Sequence, residues 1–267
     1  MKTILITGST DGIGKLAAFK LAQQQYKILL HGRNTDKLFA TQKEIIQQSE
    51  NEHVTLFCAD LSSFNSIKQM ADNIAAEVDS IDVLINNAGV YHSSSKTNAQ
   101  GLDMRFAVNY LAAYLLTQKL LPLLKASNQP RVINLSSAAQ ASVSIEALKG
   151  KTDISTQQAY AQSKLALTMW SFYFARQHTD IRTIAVNPGS LLNTKMVKEA
   201  FGQFWSSADK GADILTDLAT KPAYNNSSGK YYDNDNGGFG TAQADAYNPE
   251  KIQQLLTATE EILEGIK

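Results

Sequence analysis

KTILITGSTDGIGK, residues 2–15, decides how this chain is read. Ile4, Leu5 and Ile6 form a short apolar run of the kind found in strands buried on both faces. The run ends in Thr7-Gly8-Ser9-Thr10-Asp11-Gly12-Ile13-Gly14 and passes directly into Leu16-Ala17-Ala18-Phe19-Lys20-Leu21-Ala22, where apolar residues recur at helical spacing. Strand, glycine turn and helix succeed one another without a break. Such a turn aims several backbone N–H groups and the positive end of a helix dipole at one point, which suits a diphosphate. Glycines at 8, 12 and 14 leave the backbone open to close approach, which a β-carbon would prevent. A glycine turn is also an ordinary strand-to-helix connection, so its meaning depends on the motifs further down the chain.

Composition sets the frame. The chain has 267 residues, 43% of them hydrophobic, which fits one α/β domain over residues 1–267. Lys+Arg and Asp+Glu balance at 25 each, so no global field favours nucleic acid or an anionic membrane. The one cysteine, Cys58, excludes an intrachain disulfide and is expected as a small core residue. A first strand at residue 2 leaves no room for a leader or an amino-terminal membrane anchor, and no apolar stretch approaches the ~20 residues of a spanning helix. The expectation is a cytoplasmic protein without a membrane anchor. His31, His53, His92 and His178 show no ligand spacing, so no metal is expected.

Further along, residues 26–31 read as a second strand ending at Gly32-Arg33-Asn34. An acid near this point would accept from a ribose 2′-hydroxyl, whereas an arginine accommodates a 2′-phosphate. Positions 31–35 hold no acid and Arg33 is present, which points to NADP over NAD. Asp11 and Asp36 oppose that reading by charge, and the alternative is that Arg33 merely caps a strand at the surface. Asn34 or Thr35 starts a helix to about Ser49, and a third strand over 54–59 ends at Asp60-Leu61. Asp60 or Ser62 is placed to cap a helix over 63–78. A fourth strand, 81–85, runs into Asn86-Asn87-Ala88-Gly89, and one long helical segment is expected over 98–126, with Asn109 inside it and Pro122 ending or kinking it.

A fifth strand over 131–137 ends in Ser136 and Ser137, and a helix over 156–177 carries Tyr160 and Lys164 four residues apart, hence on one face. A tyrosine near pKa ~10 is a poor acid-base group at neutral pH, and a neighbouring ammonium favours its phenolate. A sixth strand over 183–187 runs into Pro188-Gly189, with Asn193 and Thr194 just beyond. Leu191, Met196, Phe201, Phe204 and Trp205 then form either a lid over the site or a packing helix. Residues 228–232 read as a final edge strand, residues 233–238 as a plain turn with a faint calcium-loop pattern, and residues 248–265 as a last helix.

Thr7-Gly8-x-x-x-Gly12-x-Gly14, Asn86-Asn87-Ala88-Gly89, a strand-end serine and Tyr160-x-x-x-Lys164 together resemble the short-chain dehydrogenase/reductase family over nearly the whole chain. The long interval between Ser137 and Tyr160 resembles its retinol-dehydrogenase-like branch. The resemblance implies a doubly wound parallel sheet of Rossmann type with strand order 3-2-1-4-5-6-7. It also implies hydride transfer between a nicotinamide cofactor, which Arg33 makes NADP(H) with NAD less favoured, and a small-molecule carbonyl or alcohol, which the apolar residues of 191–205 make an apolar one. In its terms Ser137 holds the substrate oxygen, Tyr160 exchanges the proton, Lys164 binds the nicotinamide ribose and lowers the Tyr160 pKa, and Asn109 supports a water chain. Gly8, Ser9, Thr10, Gly12, Ile13, Gly14, Arg33 and Asn34 would bind the cofactor's phosphates and adenosine, with Asp60 and Leu61 at the adenine. Asn87, Ala88 and Gly89 would line the ribose, and Pro188, Gly189 and Thr194, or Asn193, the nicotinamide. Segments 138–159 and 190–206 fall on the substrate side, and homodimers or homotetramers are common in the family. A methyltransferase using S-adenosylmethionine gives no reason for Ser137, Tyr160 and Lys164 to occur together, and a non-catalytic cofactor-sensing regulator would keep the fold without turnover.

Overall fold

Alternation along the first strand sets the layering. In β1 (Thr3–Ile6), Ile4 and Ile6 pack into one apolar cluster and Leu5 into another, because successive side chains leave a strand on opposite faces. The next strand, β2 (Lys27–Gly32), repeats the pattern, with Ile28 and Leu30 on one side and Leu29 on the other. A sheet with both faces apolar must be covered on both, which requires parallel strands joined by helices.

The computed structural model describes residues 1–265, without the side chain of Phe201. After β1 come α1 (Gly12–Gln23), β2, α2 (Thr35–Ser49), β3 (Val54–Cys58), α3 (Phe64–Glu77) and β4 (Val83–Asn86). The middle of the chain holds α4 (Met104–Phe106), a π turn (Ala107–Leu111), α5 (Ala112–Lys119), α6 (Leu121–Lys125), β5 (Arg131–Leu135), α7 (Ile145–Leu148) and α8 (Thr156–Gln177). The last part holds β6 (Arg182–Asn187), α9 (Lys195–Phe201), α10 (Ala208–Thr220), β7 (Lys230–Asp233), β8 (Gly238–Gly240) and α11 (Pro249–Glu264). The sheet order is β3-β2-β1-β4-β5-β6-β7-β8, parallel except for the β7–β8 pair. One face packs α1, α2 and α10, and the other packs α3, α5, α8 and α11. Each fully buried Leu or Ile in these layers contributes roughly 1.5–3 kcal/mol.

The expected strand order holds from β3 to β7, with four departures. Residues 228–232 do not form the edge, because β8 pairs antiparallel outside β7. The stretch 98–126 is not one helix. Asn98 instead closes a turn by accepting from the amides of Gln100 and Leu102, the helix starts at Met104, and it breaks at Leu120 before Pro122. Cys58 is exposed, since it is the last residue of an edge strand. The cap of α3 is Ser63; Asp60 accepts instead from the amide and hydroxyl of Ser62.

Candidate active site

Parallel strands bring all their carboxyl ends to one edge, and there the loops after β1 to β6 line a single cleft of about 460 Å³. The glycine turn forms its floor. Gly8 has φ +65°, and a β-carbon there would lie 2.9 Å from the Ala88 Cα. A β-carbon on Gly14 would run into the Asn87 amide and the Gly8 carbonyl. Both glycines therefore let the turn lie directly on the end of β4. Asn87 Nδ2 donates to the carbonyls of Thr7 (2.8 Å) and Gly8 (3.0 Å), and the Ala88 amide donates to Thr7 Oγ1 (3.0 Å). Beneath them Asn86 Nδ2 donates to Asn134 Oδ1 (2.8 Å) and Thr117 Oγ1 (3.0 Å). The amides of Ile13 and Gly14 open α1, where helix geometry leaves no intrahelical acceptor, and both residues line the cleft.

His31, unassigned by its sequence, clamps this turn. Its Nδ1 accepts from the Gly8 amide at 2.9 Å, which makes Nε2 the donor to the Ala59 carbonyl at 3.1 Å. Ser9 closes the clamp, its amide and hydroxyl both donating to the His31 carbonyl and its Oγ accepting from the His31 amide. Burial pushes the His31 imidazole down to about 4.

At the β2 end, Arg33 is exposed on the cleft wall. Asp11 caps α1 by accepting from Gly12 N (2.8 Å) and is paired with Lys37 Nζ at 2.6 Å, so its charge is already answered. Lys37 and Lys195 join Arg33 as cleft residues that the sequence reading missed. Lys37 lies four residues after Arg33 on the first turn of α2, a spacing that could have signalled it. Asn34 spends its side chain capping α2 and Ser9 is fully buried, so neither side chain lines the cleft. Asp60 and Leu61 do.

The opposite end gathers Ser137 from the loop after β5, and Tyr160 and Lys164 from α8. Ser136 is buried against Thr168 Oγ1 (2.6 Å) and the Lys164 carbonyl (3.1 Å), which leaves Ser137 as the serine whose side chain stands beside Tyr160. Lys164 Nζ donates to the Leu135 carbonyl at 2.6 Å and stands 5.7 Å from the centre of the Tyr160 ring. Burial raises the Tyr160 pKa, against which the Ser137 side chain works, and burial pushes Lys164 down to about 8. Desolvation, not Lys164, therefore sets the direction for Tyr160, contrary to the expectation from their spacing.

Asn109 lies behind this end, in the π turn, a distortion that often marks functional sites. Its carbonyl accepts from Val90 N (2.7 Å), and its amide donates to Val90 O (3.1 Å) and Ser163 Oγ (3.0 Å). Pro188, Gly189 and Thr194 line the cleft. Thr194 caps α9, whereas Asn193 is held through its amide to Ser206 O. Tyr91, its ring centre 5.0 Å from that of Tyr160, joins Met104, Val108, Leu192 and Met196 on the apolar side. Phe204 and Trp205 are exposed. The Phe201 side chain lies outside the described residues.

The glycine turn and the Ser137-Tyr160-Lys164 cluster thus face one cleft, and the short chain dehydrogenase family model matches residues 2–203. The chain belongs to the short-chain dehydrogenase/reductase family. This short-chain dehydrogenase/reductase is 35% identical to retinol dehydrogenase 13 of Homo sapiens over 251 residues, covering 87% of this chain and 76% of that one. Polyprenol dehydrogenase of Homo sapiens is 33% identical over 210 residues, 75% of this chain and 63% of that one. These likenesses, with those to retinol dehydrogenases 11 and 12, place it in the retinol-dehydrogenase-like branch. Among solved structures, one assigned as a short chain dehydrogenase of Escherichia coli CFT073, complexed with NADPH, superposes with a TM-score of 0.73 at 26% identity, covering 87% of this chain and 96% of that one. Among the described residues no helix is long and apolar enough to cross a membrane.

Proposed function

We propose that this short-chain dehydrogenase/reductase transfers a hydride between NADP(H) and the carbonyl or hydroxyl carbon of an apolar substrate. The observation that carries the reading is that Ser137, Tyr160 and Lys164, with Lys164 Nζ 5.7 Å from the centre of the Tyr160 ring, line the same cleft as the glycine turn. The nicotinamide, when bound, supplies or accepts the hydride.

The chain's own residues do the rest. Gly8, Thr10, Gly12, Ile13 and Gly14 admit the diphosphate to the amides at the start of α1. Arg33 and Lys37 hold the 2′-phosphate, while Asp60 and Leu61 take the adenine. Asn87, Ala88 and Gly89 run along the ribose, and Pro188, Gly189 and Thr194 border the nicotinamide. Ser137 holds the substrate oxygen by a hydrogen bond. In the reducing direction Tyr160 gives its proton to that oxygen, and in the oxidising direction it removes the proton. Lys164 binds the ribose hydroxyls. Asn109 keeps Val90 and Ser163 in register behind them. The apolar wall of Tyr91, Met104, Val108, Leu192 and Met196 supports an apolar substrate, as do relatives named for retinol and polyprenol. Of the two segments expected on the substrate side, 190–206 supplies Leu192, Thr194 and Met196 to the cleft, whereas none of the lining residues comes from 138–159.

The cofactor half is tested by titrating NADPH and NADH into the wild type and into Arg33→Ala. A charge-assisted hydrogen bond is worth roughly 1.5–3 kcal/mol, so the wild type should favour NADPH at least about tenfold. Arg33→Ala should lose that preference through weaker NADPH binding with NADH little changed. A wild type that binds both equally overturns the NADP assignment.

A further inference from the structure

The turn between β7 and β8 is bonded to Asn187, Pro188 and Ser190. Asp235 Oδ1 accepts from the Ser190 amide (2.8 Å), and its Oδ2 accepts from the Ser190 hydroxyl (2.5 Å) and Asn187 Nδ2 (2.8 Å). Asp233 Oδ1 accepts from the same Asn187 amide at 2.8 Å. Asn187 Oδ1 in turn accepts from Gly189 N (3.2 Å), and Asn234 Nδ2 donates to the carbonyls of Pro188 (2.9 Å) and Lys210 (3.0 Å). The acidic acceptors of this loop are thus occupied by protein donors.

What they hold is a backbone out of its ordinary range. Gly189 has φ +122° and Leu191 φ +46°, the latter in a region that a branched side chain rarely adopts. Such a residue persists only where its surroundings over-determine it. Leu191 O accepts from Trp205 N (2.9 Å), and Asn193 N donates to Ser206 O (2.8 Å), so the strained residue is the root of the loop 190–206. Leu192 and Thr194 of that loop line the cleft.

We propose that Asp235 is a positioning residue: from outside the cleft it latches the Pro188-Gly189-Ser190 turn and the root of the 190–206 loop, so that Thr194 and Leu192 stay over the bound cofactor. This latch rests on the cofactor reading under Proposed function. Hydrogen exchange of the wild type, Asp235→Ala and Asp235→Asn, with NADPH titrations alongside, tests it. In Asp235→Ala, amides of residues 190–206 should exchange about tenfold faster or more while those of β1 to β5 are unchanged, since local opening is set by local contacts. The NADPH Kd should rise at least about fivefold, as expected for losing bonds to a charged acceptor. Asp235→Asn, whose Oδ1 still accepts from the Ser190 amide but whose Nδ2 meets the Asn187 Nδ2 donor, should recover part of both. Unchanged exchange over 190–206, equal acceleration across the whole sheet, or unchanged NADPH affinity in Asp235→Ala would overturn the proposal. A wild type that binds no NADPH, with exchange over 190–206 still faster in the variant, would break the cofactor reading and leave the latch standing.

Discussion

Lys164 is 5% exposed, and among the described residues no carboxylate pairs with it. Among the described residues its ammonium donates to the Leu135 carbonyl, and burial lowers its pKa from 10.5 to about 8. The unfolded chain holds this proton more tightly than the folded one. Stability is therefore reduced below pH 8 and recovers as pH rises from about 8 to 10.5. At 1.36 kcal/mol per unit this amounts to roughly 3 kcal/mol. Lys164→Met should accordingly melt higher than the wild type at pH 7, with the gap closing toward pH 10.5, and should not turn over. Thermal denaturation at both pH values checks this, and a Met variant less stable at pH 7 contradicts it. Ser136 and Ser137 make the complementary point. Adjacent in sequence and identical in chemistry, they differ only because the strand sends one into the core against Thr168.

At the scale of elements, the glycine turn after β1 depends on β2 and β3 through His31. A proton on Nδ1 would set an N–H against the Gly8 N–H, so the clamp requires the neutral ring. Its folded value, about 4, lies below the ordinary 6.5, so its stabilising contribution is complete above pH 6.5 and is lost as pH falls to about 4. The difference is again roughly 3 kcal/mol. In urea denaturation the wild type should lose about that much more stability between pH 6.5 and 4 than His31→Asn, whose side-chain oxygen can still accept from Gly8. Equal losses would remove His31 from that role. The clamp was illegible in the sequence because a lone histidine at a strand end carries no pattern. The π turn was illegible for a related reason: Leu102 and Phe106 fit a helical stripe, and only the bonds from Asn98 and Asn109 show that one ends a turn and the other precedes a distortion. Gly238–Gly240, short and rich in glycine, gives no strand signal and pairs only because β7 offers an open edge.

Across the whole molecule, the parallel order from β3 to β7 was legible because each apolar run ended in a chemically distinctive stretch: the glycine turn, Asp60-Leu61, Asn-Asn-Ala-Gly, the serine pair, Pro-Gly. These stretches end the parallel strands, so a parallel sheet brings them to one edge. What the sequence left open was depth and direction: which side chains enter the cleft, as Lys37 does, and which turn away, as Ser9 and Asn34 do. In the function proposed above, the cleft assembled in this way performs hydride transfer with Tyr160 exchanging the proton. The direct measurement is NADPH consumption by the wild type and Tyr160→Phe with a panel of apolar aldehydes and ketones, beside NADPH binding to both. The wild type should turn over steadily, and Tyr160→Phe should lose at least about a hundredfold, in line with acid-base catalysis, with NADPH bound nearly as tightly. Turnover by Tyr160→Phe above about one-tenth of the wild type would contradict that function, because a general acid contributes ~10²–10⁴-fold.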